Sequence, residues 1–270
     1  MKMRVAVVQF RVRDFSEEEN IDLAEMFIKR AVKKKADLIV FPEDFISRTT
    51  SEESEFRNSS RNVKKIRGLA KKYKIDVVPG SFIQKEGRKK YNTSYYIDSK
   101  GDILSEYKKN HLWSTERKNL RPGKRVSVFR TKYGMVGLIL CWDMMFPEMF
   151  RKMIRKGAQI VICPSYWCYE DAGKGRQYDL KAEEKLVDSL CVERAFEEEI
   201  AFVFCNASGK NKKSNAKETL VGHSQITAPF KGVLKKLNHN REGMIIADVD
   251  LRLVDSAERS YGIRNDVVKR

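Results

Sequence analysis

Two patterns alternate along this chain: short, nearly continuous apolar runs, and longer stretches whose apolar residues recur at helical spacing. The runs at 3–10, 37–41, 75–82, 92–98, 102–107, 126–130, 134–140, 159–163, 200–206, 222–227, 231–236 and 243–249 predict strands. The stretches at 17–35, 55–74, 145–156 and 179–198 predict helices; in the first, Ile21, Ala24, Met26, Phe27, Ala31 and Val32 fall close to a helical period. The runs at 5–8 and 38–41 contain no polar residue, as expected of strands buried on both faces. Those at 222–227 and 231–236 alternate more, as antiparallel hairpin strands do. No internal repeat, low-complexity tract or long linker interrupts the order, and only 166–178 and 208–219 read as extended irregular segments. The pattern predicts one mixed α/β domain.

Composition narrows this picture. The 270 residues are ample for a substantial core, and 41% hydrophobic with 34% charged residues fits a highly charged globular protein. A net charge of +17 raises a nucleic-acid partner as a rival reading. The cations are scattered in small groups, such as Lys33 to Lys35, Arg88 to Lys90, Lys210-Lys212-Lys213 and Lys235-Lys236, without zinc-finger spacing or an RNA-binding aromatic signature. A solvated lysine-rich surface that attracts acidic solutes accounts for them. Cys141, Cys163, Cys168, Cys191 and Cys205 are odd in number and lack paired metal spacing, so reduced thiols in a cytoplasm are expected rather than a disulfide framework. The first ten residues hold too short an apolar stretch for a signal peptide, and no segment approaches the ~18 apolar residues of a membrane span. His111, His223 and His239 show no ligand spacing, so neither metal nor cofactor is expected.

Chemistry-bearing residues collect at strand ends. Cys141 closes the apolar run Gly137-Leu138-Ile139-Leu140 and is followed by Trp142-Asp143. A thiol at a strand's carboxyl end, turning into a helix, lies beside N–H groups free to hold an anion. Free Cys titrates near ~8.5, so a nucleophilic one needs a base or a positive field, and an activated thiol is expected to react well below that pH. Glu43, directly after Phe41-Pro42, is a candidate base at the mouth of a buried strand. Tyr107-Lys108-Lys109-Asn110-His111-Leu112 offers a lysine able to hold a developing oxyanion, and Glu116 opens a charged loop that turns at Pro122-Gly123. Trp142, Tyr166 and Trp167 read equally as pocket walls or as core.

Together these residues resemble the nitrilase, or carbon–nitrogen hydrolase, superfamily. Phe41-Pro42-Glu43, the Tyr107 to Leu112 motif, Glu116 with Pro122-Gly123, and Cys141-Trp-Asp-x-x-Phe-Pro-Glu148 follow the family's order over essentially the whole chain. Tyr91-Asn92-Thr93-Ser94, Asn206-Ala207-Ser208-Gly209 and Gly222-His223-Ser224 are lesser matches. The resemblance implies a Glu-Lys-Cys triad of Glu43, Lys109 and Cys141, with Lys109 chosen because the family's lysine stands two residues before the His. It implies that Glu116 is a second glutamate near the substrate. The implied fold is a four-layer α-β-β-α sandwich of two mixed sheets, with the site at the strands' carboxyl ends. The hydrolase domain is expected over 1–255, and a tail at 256–270 is expected to join contacts in a homodimer or larger homo-oligomer.

The implied reaction is cleavage of a non-peptide C–N bond, in an amide or carbamoyl substrate, through a cysteine thioester that releases ammonia. Met145 stands where many amidase members carry an Arg-like residue, which counts against recognising a carboxylate-bearing substrate there. The Trp after Cys141 also occurs in carbamoylputrescine-amidase-like members. Nitrile-hydrolysing members usually read Cys-Trp-Glu in a longer chain, so Asp143 and the chain's length favour the amide or carbamoyl reading. Two rivals stand beside it: a Cys-His hydrolase pairing Cys141 with His111 or His223, and a basic nucleic-acid-binding protein on an inactive hydrolase scaffold.

Overall fold

The computed structural model describes residues 1–11, 16–47, 52–211 and 218–269, excepting the side chains of 52–58, 268 and 269. Parallel strands β1 (Lys2–Gln9), β2 (Leu38–Val40) and β3 (Asp76–Val78) form the centre of one sheet. Antiparallel β4 (Ser81–Glu86), β5 (Lys89–Ile97), β6 (Ile103–Lys108) and β13 (Gly243–Asp250) complete it in the order β13-β1-β2-β3-β5-β4, with β6 also on β5. The second sheet runs β12 (Gly232–Lys236), β11 (Gln225–Ala228), β10 (Ala201–Asn206), β9 (Ile160–Ser165), β8 (Gly134–Leu138), β7 (Ser127–Thr131). Of its four inner strands, β8, β9 and β10 are parallel and β11 is antiparallel to β10.

The apolar run at 5–8 has two destinations. Val5 and Val7 join the core between the sheets, together with Leu138, Ile162 and Val203, whereas Ala6 and Val8 face outward under α1 (Glu17–Lys33) and α2 (Glu52–Tyr73). After the one-turn α3 (Glu116–Asn119), α4 (Pro147–Arg155) and α5 (Ala182–Glu197) cover the other side of the second sheet through Met149, Phe150, Val187 and Cys191. The result is a four-layer α-β-β-α arrangement. Helix α1 starts where the sequence provides for it: Ser16 accepts from the Glu19 N–H at 3.3 Å and Glu19 accepts from the Ser16 N–H at 2.7 Å.

Some expectations need correction. The run at 75–82 is two strands rather than one, broken at Gly80 (φ +70°), where an added Cβ would lie 1.8 Å from the carbonyl oxygen of Pro42. Only glycine lets β4 leave β3 at the point where the Pro42-Glu43 turn crosses it. Strand β11 alternates in sequence yet is buried on both faces, because Thr227 bonds the Cys191 carbonyl at 2.7 Å and Gln225 bonds Asp188 at 3.1 Å under α5. No helix was expected near the C-terminus, but α6 (Arg252–Tyr261) and α7 (Ile263–Lys269) form there, and α7 folds back so that Arg155 donates to the Val267 carbonyl at 3.0 Å. Their short, charged sequence hides the signal: α6 buries only Val254 and Ala257. In the polar segment at 208–219, residues 212–217 lie outside the described residues.

Candidate active site

Four strand ends meet at one point. Glu43 follows β2, Lys109 follows β6, Cys141 follows β8 after two extended residues, and Tyr166 and Trp167 follow β9. The backbone N–H of Glu43 donates to the Ser165 carbonyl at 3.3 Å, stitching the end of one sheet to the end of the other. Cys141 opens a 3-10 turn (Cys141–Met145) and has φ +45°, a left-handed conformation rare for a residue with a side chain. The Trp142 N–H lies in the first turn of that segment, where an amide has no acceptor within the helix.

Lys109 is fully enclosed, with its side chain 2% exposed, and its Nζ lies 2.9 Å from Glu43 Oε1 and 2.8 Å from Glu116 Oε2. Asn92 on β5 joins them: its Nδ2 donates to Glu43 Oε1 at 2.7 Å and to Glu116 Oε1 at 2.8 Å. Glu116 caps the turn through the Trp113 N–H at 2.7 Å. The Pro122-Gly123 turn then packs onto the lysine's backbone. The Gly123 N–H donates to the Lys109 carbonyl at 2.8 Å, and a Cβ on Gly123 would lie 2.2 Å from the Lys108 carbonyl oxygen. Lys108 points elsewhere, pairing with Glu86 at 2.5 Å.

Asp143 holds the two halves in register. Wholly buried, it accepts the Tyr107 hydroxyl at 2.6 Å, the Leu140 N–H at 3.0 Å and the His111 N–H at 2.8 Å, and its Oδ1 lies 2.8 Å from His111 Nδ1. The turn carrying Cys141 is thereby tied to the segment carrying Lys109.

Burial pulls the Lys109 ammonium down, but the charges of Glu43 and then Glu116 outweigh it and hold the lysine well above its ordinary value. Burial opposes ionisation of Glu116 too, yet Lys109 and Asn92 keep its carboxyl below the usual range. For Cys141, burial first and the Glu43 charge second push the thiol well above its ordinary value, against the smaller pull of Lys109 and the Tyr166 N–H. The expected low-pKa thiolate is therefore corrected: this thiol keeps its proton until a base removes it.

Glu43, Lys109, Glu116, Cys141, Trp142, Tyr166 and Trp167 line one cavity, which also takes in Trp113, Thr115 and Asp171. The cavity holds about 30 Å³. Two roomier clefts, about 350 and 610 Å³, share Lys124, Arg125 and Val126 in their linings, and among the described residues neither lining contains a thiol. Sequence reading missed Trp113 and Asp171, which no motif marks, and it gave Asn92 no role. His111 stacks on Phe146 at 3.7 Å and His223 lies 3.1 Å from Asp188; among the described residues the cavity lining contains no histidine. Asn206 and Ser224 serve as braces, Asn206 accepting from the Trp167 N–H at 2.8 Å and Ser224 from the Asn206 N–H at 3.0 Å. All five cysteines are free and buried. Among the described residues no helix is long and apolar enough to cross a membrane.

The carbon–nitrogen hydrolase family model matches residues 4–259. Among curated proteins, the chain is 28% identical to a 2-oxoglutaramate amidase of Bacillus subtilis (strain 168), the match covering 100% of this chain and 99% of that protein. It is 29% identical to an N-carbamoylputrescine amidase of Oryza sativa subsp. japonica over 98% and 91% of the two chains. A solved variant of the amidase from Nesterenkonia sp. AN1, 25% identical, superposes with a TM-score of 0.80 over 97% of this chain and 96% of that one. That structure shows covalent addition of the acetamide moiety of fluoroacetamide at the active-site cysteine.

Proposed function

Because the chain belongs to the carbon–nitrogen hydrolase family, we propose that its Glu43, Lys109 and Cys141 are the groups that hydrolyse an amide or N-carbamoyl substrate. The observation that carries this assignment is the Glu43–Lys109 contact of 2.9 Å in the cavity that also contains the thiol. Glu43 takes the thiol proton as the Cys141 sulfur attacks the carbonyl carbon, so the thiolate exists only as the C–S bond forms. Lys109 and the Trp142 N–H hold the oxyanion of the tetrahedral intermediate. The C–N bond then breaks, and Glu43 returns its proton to the departing nitrogen, which leaves as ammonia or an amine. Glu43 next takes a proton from water, whose oxygen attacks the thioester; the acid departs and sulfur regains a proton. Glu116 orients Lys109, while Trp142, Tyr166 and Trp167 wall the acyl group.

The five free thiols support a reducing, cytoplasmic setting. Exposed Tyr178 and Leu180, at 85% and 69%, support burial of that face in a homodimer, to which the C-terminal segment 256–270 also contributes. Sedimentation velocity reads that state directly.

The deciding experiment for the reaction is mass spectrometry of protein quenched during turnover of a slow amide. An acyl adduct on the Cys141 peptide, absent from a folded but inactive Cys141→Ala variant, is expected. Turnover retained by Cys141→Ala would remove the covalent scheme.

A further inference from the structure

The cavity contains one carboxylate that the reaction does not use. Asp171 sits on the 3-10 segment Tyr169–Gln177, and its Oδ2 accepts the Cys168 N–H at 2.8 Å. Its other oxygen makes no hydrogen bond, and its carboxylate no ion pair, among the described residues. The neighbouring acids are each engaged. Glu170 accepts from the Thr219 N–H at 2.7 Å and pairs with Arg176 at 3.3 Å, Glu218 accepts the Tyr166 hydroxyl at 3.1 Å, and Glu183 accepts the Trp167 indole N–H at 2.5 Å. Among the described residues Asp171 alone brings an unengaged oxygen to the cavity wall.

The other walls fit what such an oxygen would attract. Trp113 and Trp142 have ring centroids 4.2 Å apart and Trp142 and Trp167 5.5 Å apart, so three neighbouring indoles line the cavity that the thiol and the carboxylate also line. Indole faces attract cations. Among the described residues the only cation in the lining is Lys109, already shared between Glu43 and Glu116. Among the described residues, a substrate carrying its own carboxylate would find no free counter-ion for that charge beside Asp171.

Resting on the hydrolase reading above, we propose that Asp171 determines specificity by receiving a cationic group, a protonated amine or guanidinium, at the substrate end remote from the scissile C–N bond. Burial, and then the charges of Glu183, Glu218 and Glu170, push the Asp171 carboxyl up to about 7 against the pull of the Cys168 N–H. An arriving cation offsets that field and draws the carboxyl into its ionised form.

The test is a series of linear amides, with a parallel N-carbamoyl series, of matched length and ending in ammonium, methyl or carboxylate. Wild-type kcat/KM should favour the ammonium member over the methyl one by roughly 10- to 100-fold, the range of a hydrogen bond to a charged group. Asp171→Asn keeps an oxygen for the Cys168 N–H and should collapse that ratio toward one, mainly through KM; Asp171→Lys should shift preference toward the carboxylate member. A ratio unchanged by Asp171→Asn, or a wild-type preference for carboxylate, would overturn the proposal while leaving the hydrolase reading intact. Calorimetry with Cys141→Ala separates the two ideas. Binding of the ammonium amide that weakens about as much on adding Asp171→Asn supports the proposal even if no member is turned over, whereas binding indifferent to Asp171 refutes it.

Discussion

The backbone N–H of Tyr166 donates to Glu43 Oε2 at 3.1 Å and also stabilises the thiolate form of Cys141. One donor on the β9 strand end therefore serves both the proposed base and the proposed nucleophile. The opposite oxygen, Oε1, is held by Asn92 and Lys109. Both oxygens of the Glu43 carboxylate are thus held in place by hydrogen bonds.

Asn92 is on this reading a positioning residue. Asn92→Ala removes two hydrogen bonds to charged groups and leaves the two carboxylates flanking Lys109 without their bridge. A fall in kcat of roughly ten- to a hundredfold is expected, with a smaller change in KM and a displaced acid limb of the pH–rate profile. A lowered kcat with an unmoved profile would mean that Asn92 merely supports β5.

Lys109 and Lys108 differ in what surrounds them, and kinetics should separate them. Lys109→Met should reduce kcat by at least the ~10²–10³-fold typical of losing an oxyanion donor, and should also leave Glu43 and Glu116 facing each other unpaired. Lys108→Ala loses a pairing with Glu86 at the half-exposed edge of β6 and should stay within about threefold of wild type. An inactive Lys108 variant beside an active Lys109 variant would shift the assigned lysine by one residue.

Glu198 supplies a pH test of stability. It is wholly buried beside Arg151, whose Nε lies 3.2 Å away, and burial pushes its carboxyl up to about 7. A folded-state value above the unfolded one of ~4.5 gives stability that is complete below that pH and is lost as pH rises through about 7. Glu198→Gln removes that loss. Measured by calorimetry against wild type, its melting temperature should gain a few °C on going from pH 4 to pH 8.5. A constant difference between the two proteins would show that Glu198 is already ionised in the fold.

Exhaustive treatment with EDTA should leave turnover unchanged. In the proposed scheme nucleophile, base and oxyanion donor are all side chains or backbone, and among the described residues no group of three or more His, Cys, Asp or Glu could hold a metal ion. Activity lost on chelation and restored by zinc would replace the covalent scheme with a metal-bound water.

The legibility of these features in the sequence follows a physical rule. Glu43, Lys109 and Cys141 were legible because each ends or follows an apolar run, and because their neighbours Pro42, His111 and Trp142-Asp143 form motifs. The sandwich was legible through β1, whose unbroken apolar run matches its two cores. Gly80 was not, since the need for a missing Cβ appears only when Pro42, far away in sequence, is placed against it. Asp171 was hidden in an irregular segment where no periodicity applies, and its role depends on indoles contributed by three separate loops. The thiol's proton affinity was misjudged because a strand-end cysteine suggests a positive field, whereas the enclosed site adds burial and a carboxylate charge.

The left-handed backbone of Cys141 bears on how such a protein ages. A side chain at φ +45° carries a conformational penalty of about 1–3 kcal/mol that glycine would largely escape. Cys141→Gly should therefore melt above Cys141→Ala by a few °C, although both are inert. Selection for stability alone would favour the very replacement that ends the chemistry. With Cys141 as the proposed nucleophile, a duplicated copy released from catalysis should drift to glycine there before its sheets change.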